Sequence, residues 1–559
     1  MKNKKWNTSF FAVCLCFILC WLSFLPPRAS ASAGSELFDE MPPVYGDYGG
    51  EIREEKPRPD GIRHVDTPRL IRRLKELKVN TYFFLIWHEF TDWDDLRKEF
   101  LPAAKQANID VWVYLVPPSE SHMKRSEPYG TDYISWFRAV GRLSAHYSNL
   151  KGIVIDDFND NLKFFTPEYL GKARKAAEKE NPQLQFYPQI YYPAVSRSFL
   201  DRYHSYIDGI VMTFRDDNNR NTQKLVRLTD QMNEVQSLLR SYRLPLILMI
   251  YASKLSATPA NPSASYVEGA LKIGINLLKL KQIQGLVTYV LYKEFTQEKE
   301  DRDAVSGLGY ASFFAPPSKN LKHGDYVQLK QRVYFDPKGP YRLTFSHFSV
   351  YPLIKQQGRY VKQVLLDNRV IWEQSMTKDL QNQWQRVSID LTPYIRGRKS
   401  AVLTFSLTRT KGEGPVWAYG GFDQLQAEGF QLLNPDFEQR QEWTAASNNP
   451  AMLTEVMVYD PSRRMKIYRA VRRYYTTFDL FQKITTHTRS SFLARKADHL
   501  VNTVLLGQTG EALETIKEIM TLLIFDHHMD TGTKRQLIEE GRQLYHLINQ
   551  TEEQNQSPG

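Results

Sequence analysis

Two adjacent carboxylates, Asp156 and Asp157, follow the apolar run Gly152-Ile153-Val154-Ile155 without a break. Neighbouring carboxyl groups raise one another's pKa, so one can hold a proton near neutrality while the other stays ionised. That is the requirement for acid and base work at a single site. Ionised carboxylates are costly to bury, which places the pair where a buried strand leaves the core. Asn159, Asp160 and Asn161 continue as a polar loop, and Thr166-Pro167-Glu168 predicts a helix start with Thr166 as its cap. The competing reading is that the pair caps a helix or pairs with a nearby arginine.

Other polar and aromatic residues stand in the same relation to other apolar runs. Trp87, His88 and Glu89 follow one, Gln189, Tyr191 and Tyr192 close a second, and Arg215 and Asp216 follow a third. Tyr251 ends a fourth, and Tyr292 and Glu294 a fifth. With Asn159, these are the expected substrate-binding residues around the catalytic candidates Asp156 and Asp157. The aromatic members suit stacking on sugar rings, with core packing as the alternative. Glu89 and Glu294 offer a more widely spaced acid and nucleophile pair, with surface salt bridges as the alternative. Arg215 and Asp216 either pair with each other or hold hydroxyls. His88, Glu120 and His122 do not match a metal-binding spacing, so no metal and no cofactor is expected.

The elements that must position these residues alternate. Apolar strand-like runs over residues 81–87, 110–116, 151–155, 185–190, 207–213, 245–250 and 283–291 are separated by helical patterns over 64–79, 94–107, 134–147, 167–179, 196–206, 225–242 and 265–280. One more strand is expected before Arg63. Such alternation predicts a (β/α)8 TIM barrel over residues 34–310, with all strand ends around one mouth. A doubly wound open sheet is the alternative, but no glycine-rich turn suited to a dinucleotide follows any strand.

From about residue 315 the pattern becomes short strands separated by turns, an all-β sandwich over 315–432. Residues 433–490 mix strand and helix signals and are expected to link. A small helical module is predicted over 491–553, and 554–559 is a polar tail. The fold class is therefore multidomain: a TIM barrel, a jelly-roll-like sandwich and a C-terminal helical module.

Val154-Ile155-Asp156-Asp157-Phe158 resembles the paired-aspartate motif of the glycoside hydrolase family of O-GlcNAcases and bacterial hyaluronidase-like hexosaminidases. The resemblance implies that Asp156 orients the substrate's acetamido group, which acts as nucleophile, and that Asp157 is the general acid and base. Ile207-Asp208-Gly209-Ile210-Val211-Met212-Thr213-Phe214 is similar to the sixth strand of chitinase-like barrels. Those enzymes need a glutamate where Phe158 stands, so their mechanism is not implied. Tyr360 to Asp367, Trp384-Gln385 and Ile389 to Thr392 resemble the jelly-roll modules of secreted glycoside hydrolases, some of which bind sugars and others only pack on the barrel.

Lys2, Lys4 and Lys5, the apolar run over 10–25 and the small residues Ala29 to Ala33 have the layout of a secretory signal peptide, expected over 1–33 with cleavage after Ala31 or Ala33. All three cysteines fall inside it, which leaves an exported chain without disulfides or thiol chemistry, a habit of Gram-positive secreted proteins. The formal charge is +11, of which Lys2, Lys4, Lys5 and Arg28 carry four, leaving +7 after Ala33. This suits an anionic wall or acidic polysaccharide. No basic stripe interleaved with aromatics points to nucleic acid. The expected function is that of a secreted glycoside hydrolase acting on polysaccharide or amino-sugar glycans, with association to the cell wall as a further expectation and no membrane contact after cleavage. The alternative is a non-catalytic carbohydrate-binding or envelope protein on a barrel scaffold.

Overall fold

The computed structural model describes residues 42–121, 126–216, 224–253, 261–295, 304–351, 360–410 and 416–556. The expected signal peptide and His122 lie outside the described residues. Eight parallel strands close in sequence order: β1 (Val44–Tyr48), β2 (Thr81–Ile86), β3 (Asp110–Leu115), β4 (Leu150–Ile155), β5 (Gln185–Tyr191), β6 (Ile210–Thr213), β7 (Leu246–Tyr251) and β8 (Gly285–Tyr289). Pairing of β8 with β1, with Tyr45 opposite Leu286, leaves no sheet edge and rules out the open-sheet alternative.

Side-chain alternation sorts each strand into two layers. Val154 packs inside the barrel with Trp112, Tyr114 and Tyr187, whereas Ile153 and Ile155 pack outward against the helices. Gly152 lies on the inner face because the Trp112 ring fills the space that its Cβ would need. Continued by one residue, the same parity aims Asp156 inward.

The outer ring begins with α1 (Thr67–Glu76), α2 (Leu101–Gln106), α3 (Tyr133–His146), α4 (Pro167–Glu178), α5 (Arg197–Tyr203), α6 (Leu228–Arg240) and α7 (Ala264–Lys279). Thr166 caps α4, accepting a bond from the Tyr169 amide. At α1 the cap is Asp66, whose carboxylate accepts from the Arg69 amide.

Among the described residues no helix follows β8 before the chain enters the sandwich. One antiparallel sheet has the order β13 (Arg369–Ser375), β12 (Tyr360–Leu366), β15 (Ser400–Arg409), β10 (Tyr326–Tyr334), β17 (Thr444–Ser447). The other has the order β14 (Gln385–Asp390), β11 (Arg342–Val350), β16 (Ala418–Glu428), β9 (Gly309–Ala315), β18 (Leu453–Val458). Phe345, Phe405 and Phe422 meet between the sheets in a separate core.

The chain then returns to the barrel. In α8 (Arg463–His487), the Tyr475 hydroxyl lies 2.9 Å from the Gly46 carbonyl on β1 and 3.1 Å from that of Leu286 on β8. Tyr45 donates to Asp479 at 2.6 Å, Tyr468 to Glu76 on α1 at 3.0 Å, and Arg473 to Glu268 on α7 at 2.7 Å. Thus α8 fills the gap between α7 and α1 as the eighth barrel helix, and the sandwich is an insertion between β8 and that helix. The stretch 433–490 is accordingly not a linker: β17 and β18 belong to the sandwich, and α8 to the barrel. Helices α9 (Ser491–Leu506), α10 (Thr509–Phe525) and α11 (Thr531–Gln556) bury Leu500, Ile516 and Leu544 in the same apolar cluster as the barrel's outer layer. The C-terminal helical module is built onto the barrel, and α11 continues into the stretch expected as a tail.

Candidate active site at the barrel mouth

Asp156 sits at the carboxyl end of β4 and is 8% exposed. Its Oδ1 accepts a 2.7 Å hydrogen bond from the Tyr114 hydroxyl, and among the described residues no cation pairs with it. Burial, then the charge of Asp157, push its carboxyl well above the usual carboxylate range, with the Tyr114 bond opposing them. Asp157 takes a left-handed backbone (φ 42°, ψ 38°) that an L-residue holds only when its surroundings enforce it. Here its amide donates to Gln189 Oε1 at 2.8 Å, and Gln189 Nε2 donates to Thr213 Oγ1 at 2.7 Å. Burial also raises the Asp157 carboxyl, against a hydrogen bond from Tyr191 and the charge of Arg215.

Tyrosines wall this carboxyl pair. Tyr48 packs on Tyr114 with ring centroids 4.2 Å apart and on Tyr289 at 5.1 Å, and Tyr289 meets Tyr251 at 4.9 Å. The Arg215 guanidinium lies 3.4 Å above the Tyr191 ring centre, and its Nε donates to the Tyr251 hydroxyl at 3.3 Å. Burial, reinforced by the Asp156 charge, raises the hydroxyls of Tyr48 and Tyr114, so both remain donors at any physiological pH. Five strands thus surround Asp156 with uncharged hydroxyls.

Of the residues named from sequence, Gln189, Tyr191, Arg215 and Tyr251 gather here with the aspartates. Asn159 braces the loop, its Oδ1 accepting from the Tyr191 amide at 3.2 Å. Trp87, His88 and Glu89 follow β2 at the same end, their three amides held by Asp92 Oδ2 at 2.7 to 3.0 Å. The His88 ring binds Glu51, where burial opposes ionisation but the His88 bond and the charges of His88 and Arg53 outweigh it, holding that carboxyl down to about 2.

Four named residues are occupied elsewhere. Tyr192 donates to Glu234 on the outer face at 2.7 Å, and Asp216 accepts from the Arg227 amide at 2.9 Å rather than pairing with Arg215. Tyr292 lies under Arg464 of α8 at 3.7 Å, and Glu294 is ion-paired with Arg69 of α1. Glu294 therefore matches its salt-bridge alternative.

Sequence reasoning passed over Tyr48, Tyr114, Tyr289 and Glu51. Tyr114 lies inside an apolar run two positions before Val116, and inward parity counted back from the strand's end was the signal that could have found it. Among the described residues, the cluster of His64, Asp95 and Glu99 has metal-like spacing, but both His64 nitrogens are already bonded, to Asp95 at 2.6 Å and Asp60 at 2.7 Å. It lies on the barrel's flank and supplies no open ligand set.

No protein-family model matches the chain, and no curated protein does. Among solved structures, the chain is similar to beta-glucuronidase 2 of Bacteroides uniformis at 8% identity and a TM-score of 0.35, covering 68% of this chain and 65% of that one. It is also similar to endoglucanase Cel5A of Pseudomonas stutzeri, at 12% identity and 0.31 over 44% and 84%. A third is an intracellular xylanase of Thermoanaerobacterium saccharolyticum, at 13% identity and 0.30 over 47% and 90%. At these scores the barrel assignment rests on the strand closure described above.

Proposed function

We propose that the mouth hydrolyses a glycosidic bond, with Asp156 and Asp157 sharing one proton. The observation that carries this reading is Asp156 itself: a buried carboxyl with a tyrosine partner and no cation among the described residues, beside a second carboxyl. A pair tied up by arginine or lysine would suit a scaffold or a binding protein. A pair that retains a proton suits a general acid. Asp156, the more buried member, keeps the proton and delivers it to the leaving glycosidic oxygen. Asp157 is ionised beside Arg215 and stabilises positive charge developing at the anomeric carbon. The nucleophile is water or the substrate's own acetamido oxygen, so no protein nucleophile is required, and the proton lost by the water that completes hydrolysis returns to the Asp156 carboxylate. The resemblance noted above gives the acid role to Asp157; burial favours Asp156.

The tyrosine wall and Trp87 offer ring faces to a sugar. Export, wall association and a sugar-binding role for the sandwich are part of the same proposal, supported by the leader-like N-terminus and the jelly-roll-like pattern. No helix among the described residues is long and apolar enough to cross a membrane. The test is turnover of a panel of aryl glycosides, including N-acetylhexosaminides, by the purified chain. Release of aglycone that Asp156→Asn abolishes supports the reading; equal rates in the two proteins contradict it.

A further inference from the structure

A groove of about 640 Å³ lies on the barrel's flank between α1, α8 and α11. Its lining carries four cations, Arg72, Lys75, Lys78 and Arg472, against one carboxylate, Glu76. Several other cations of these helices are ion-paired: Arg69 with Glu294, Arg73 with Glu76, Arg473 with Glu268, and Lys483 with Asp479 and Glu540. In the groove, Arg72, Lys75 and Arg472 form no salt bridge among the described residues, and Arg472 acts on Glu76 only through its charge. Lys78 reaches Glu540 only at 3.5 Å, and Glu540 is already held by Lys483 at 2.7 Å. Glu76, the acid facing Arg472, is bound by Arg73 at 2.8 Å and by the Tyr468 hydroxyl at 3.0 Å.

Unmatched cations gathered in one concavity focus a positive field, and guanidinium forks suit bidentate oxyanions. The groove's remaining surface includes Pro68, Ile71 and Leu547, and none of its lining residues is aromatic. Single-stranded nucleic acids stack their bases on aromatic rings; this lining offers no ring face, so its contacts to a polyanion go through the oxyanions alone. We infer that the groove docks an acidic polysaccharide strand through its carboxylates, apart from the mouth and independently of the reaction there. The lateral placement makes it an anchoring surface rather than a substrate cleft.

The test uses polygalacturonate as probe at low ionic strength, with the full chain and affinity electrophoresis. The wild-type chain binds, and binding fades as salt is raised. The triple variant R72S/K75S/R472S weakens binding by about tenfold or more, as expected when the focused charge is removed. A control that removes the same charge from the sandwich surface, K319S/K322S/K338S, binds as the wild type does. Aryl glycoside turnover is unchanged in the groove variant, so failure of the groove and failure of the proposed reaction are separable. The inference is overturned if the wild type does not bind, if the two triple variants bind alike, or if polyphosphate binds through the groove while polygalacturonate does not.

Discussion

Two buried aspartates, one in each half of the molecule, live in opposite chemistries. In the sandwich, Asp379 accepts from Lys362 Nζ at 2.8 Å and Ser349 Oγ at 2.6 Å, with His347 Nδ1 at 3.5 Å. Burial works against its charge, but His347 and Lys362 outweigh burial and hold the carboxyl below the usual range. Burial in turn pushes Lys362 down to about 8, with Asp379 opposing the fall. At the mouth, Asp156 is as buried and is offered a tyrosine, a second carboxylate and no cation among the described residues. The first arrangement satisfies a charge. The second leaves a carboxyl uncomfortable as an anion, which is a reason to keep a proton.

The largest expected effect falls on the satisfied side. Asp379→Ala strands Lys362 without its partner, and breaking a buried pair in this way costs about 3–5 kcal/mol. Chemical denaturation of the full chain measures it; a loss below about 1 kcal/mol would mean that the network is relaxed or hydrated. Because the folded pKa of Asp379 is depressed, its contribution is present above the ordinary carboxyl pKa and fades as pH falls through the folded value.

At the mouth the same kind of change acts the other way on stability. Asp156→Asn lowers kcat by about a hundredfold or more, as removal of one electrostatic group at a transition state does. Its folded pKa is raised, so the stability that the protonated carboxyl permits is complete below the ordinary carboxyl pKa and declines as pH rises through the folded value. The asparagine variant escapes that decline, and its Tm at neutral pH is equal to or above that of the wild type. A clear drop in Tm would show instead that the carboxylate is a structural anchor.

Tyr475→Phe probes the clasp between α8 and the barrel strands. Two buried strand carbonyls lose their hydroxyl, for about 1–2 kcal/mol measured by denaturation. No change would mean that α8 is held by apolar packing alone. Tyr114→Phe is the mildest. The Tyr114 bond favours the ionised form of Asp156, so its loss moves the alkaline limb of the rate profile to higher pH. A shift to lower pH would contradict the assigned direction of that bond.

The barrel was legible because its strands are short apolar runs between helical patterns, and because polar residues collect at one end of each. Parity groups Asp156 with Gly152 and Val154, and the small size of that set points it to the crowded interior, where Val154 is packed. The ring of Tyr48, Tyr114 and Tyr289 was hidden because each lies within a strand, where a tyrosine reads as core. Tyr192, Asp216, Tyr292 and Glu294 follow strand ends as the site residues do, but local partners turn them elsewhere, and partners such as Arg464 and Arg69 are far away in sequence. The eighth helix was the least legible part. Tyr475 and Gly46 are 429 positions apart, with a complete sandwich between, and no local pattern encodes that meeting.

The central claim is that Asp156 keeps its proton where Asp379 does not. Isotope-labelled aspartate carboxyl NMR on the full chain, with Asp156→Asn and Asp379→Asn to assign the two signals, reads both at once. The account predicts that the Asp379 signal is that of a carboxylate throughout the neutral range, while the Asp156 signal remains that of a carboxylic acid well above the ordinary carboxyl pKa. Titration of Asp156 at that ordinary value would contradict it.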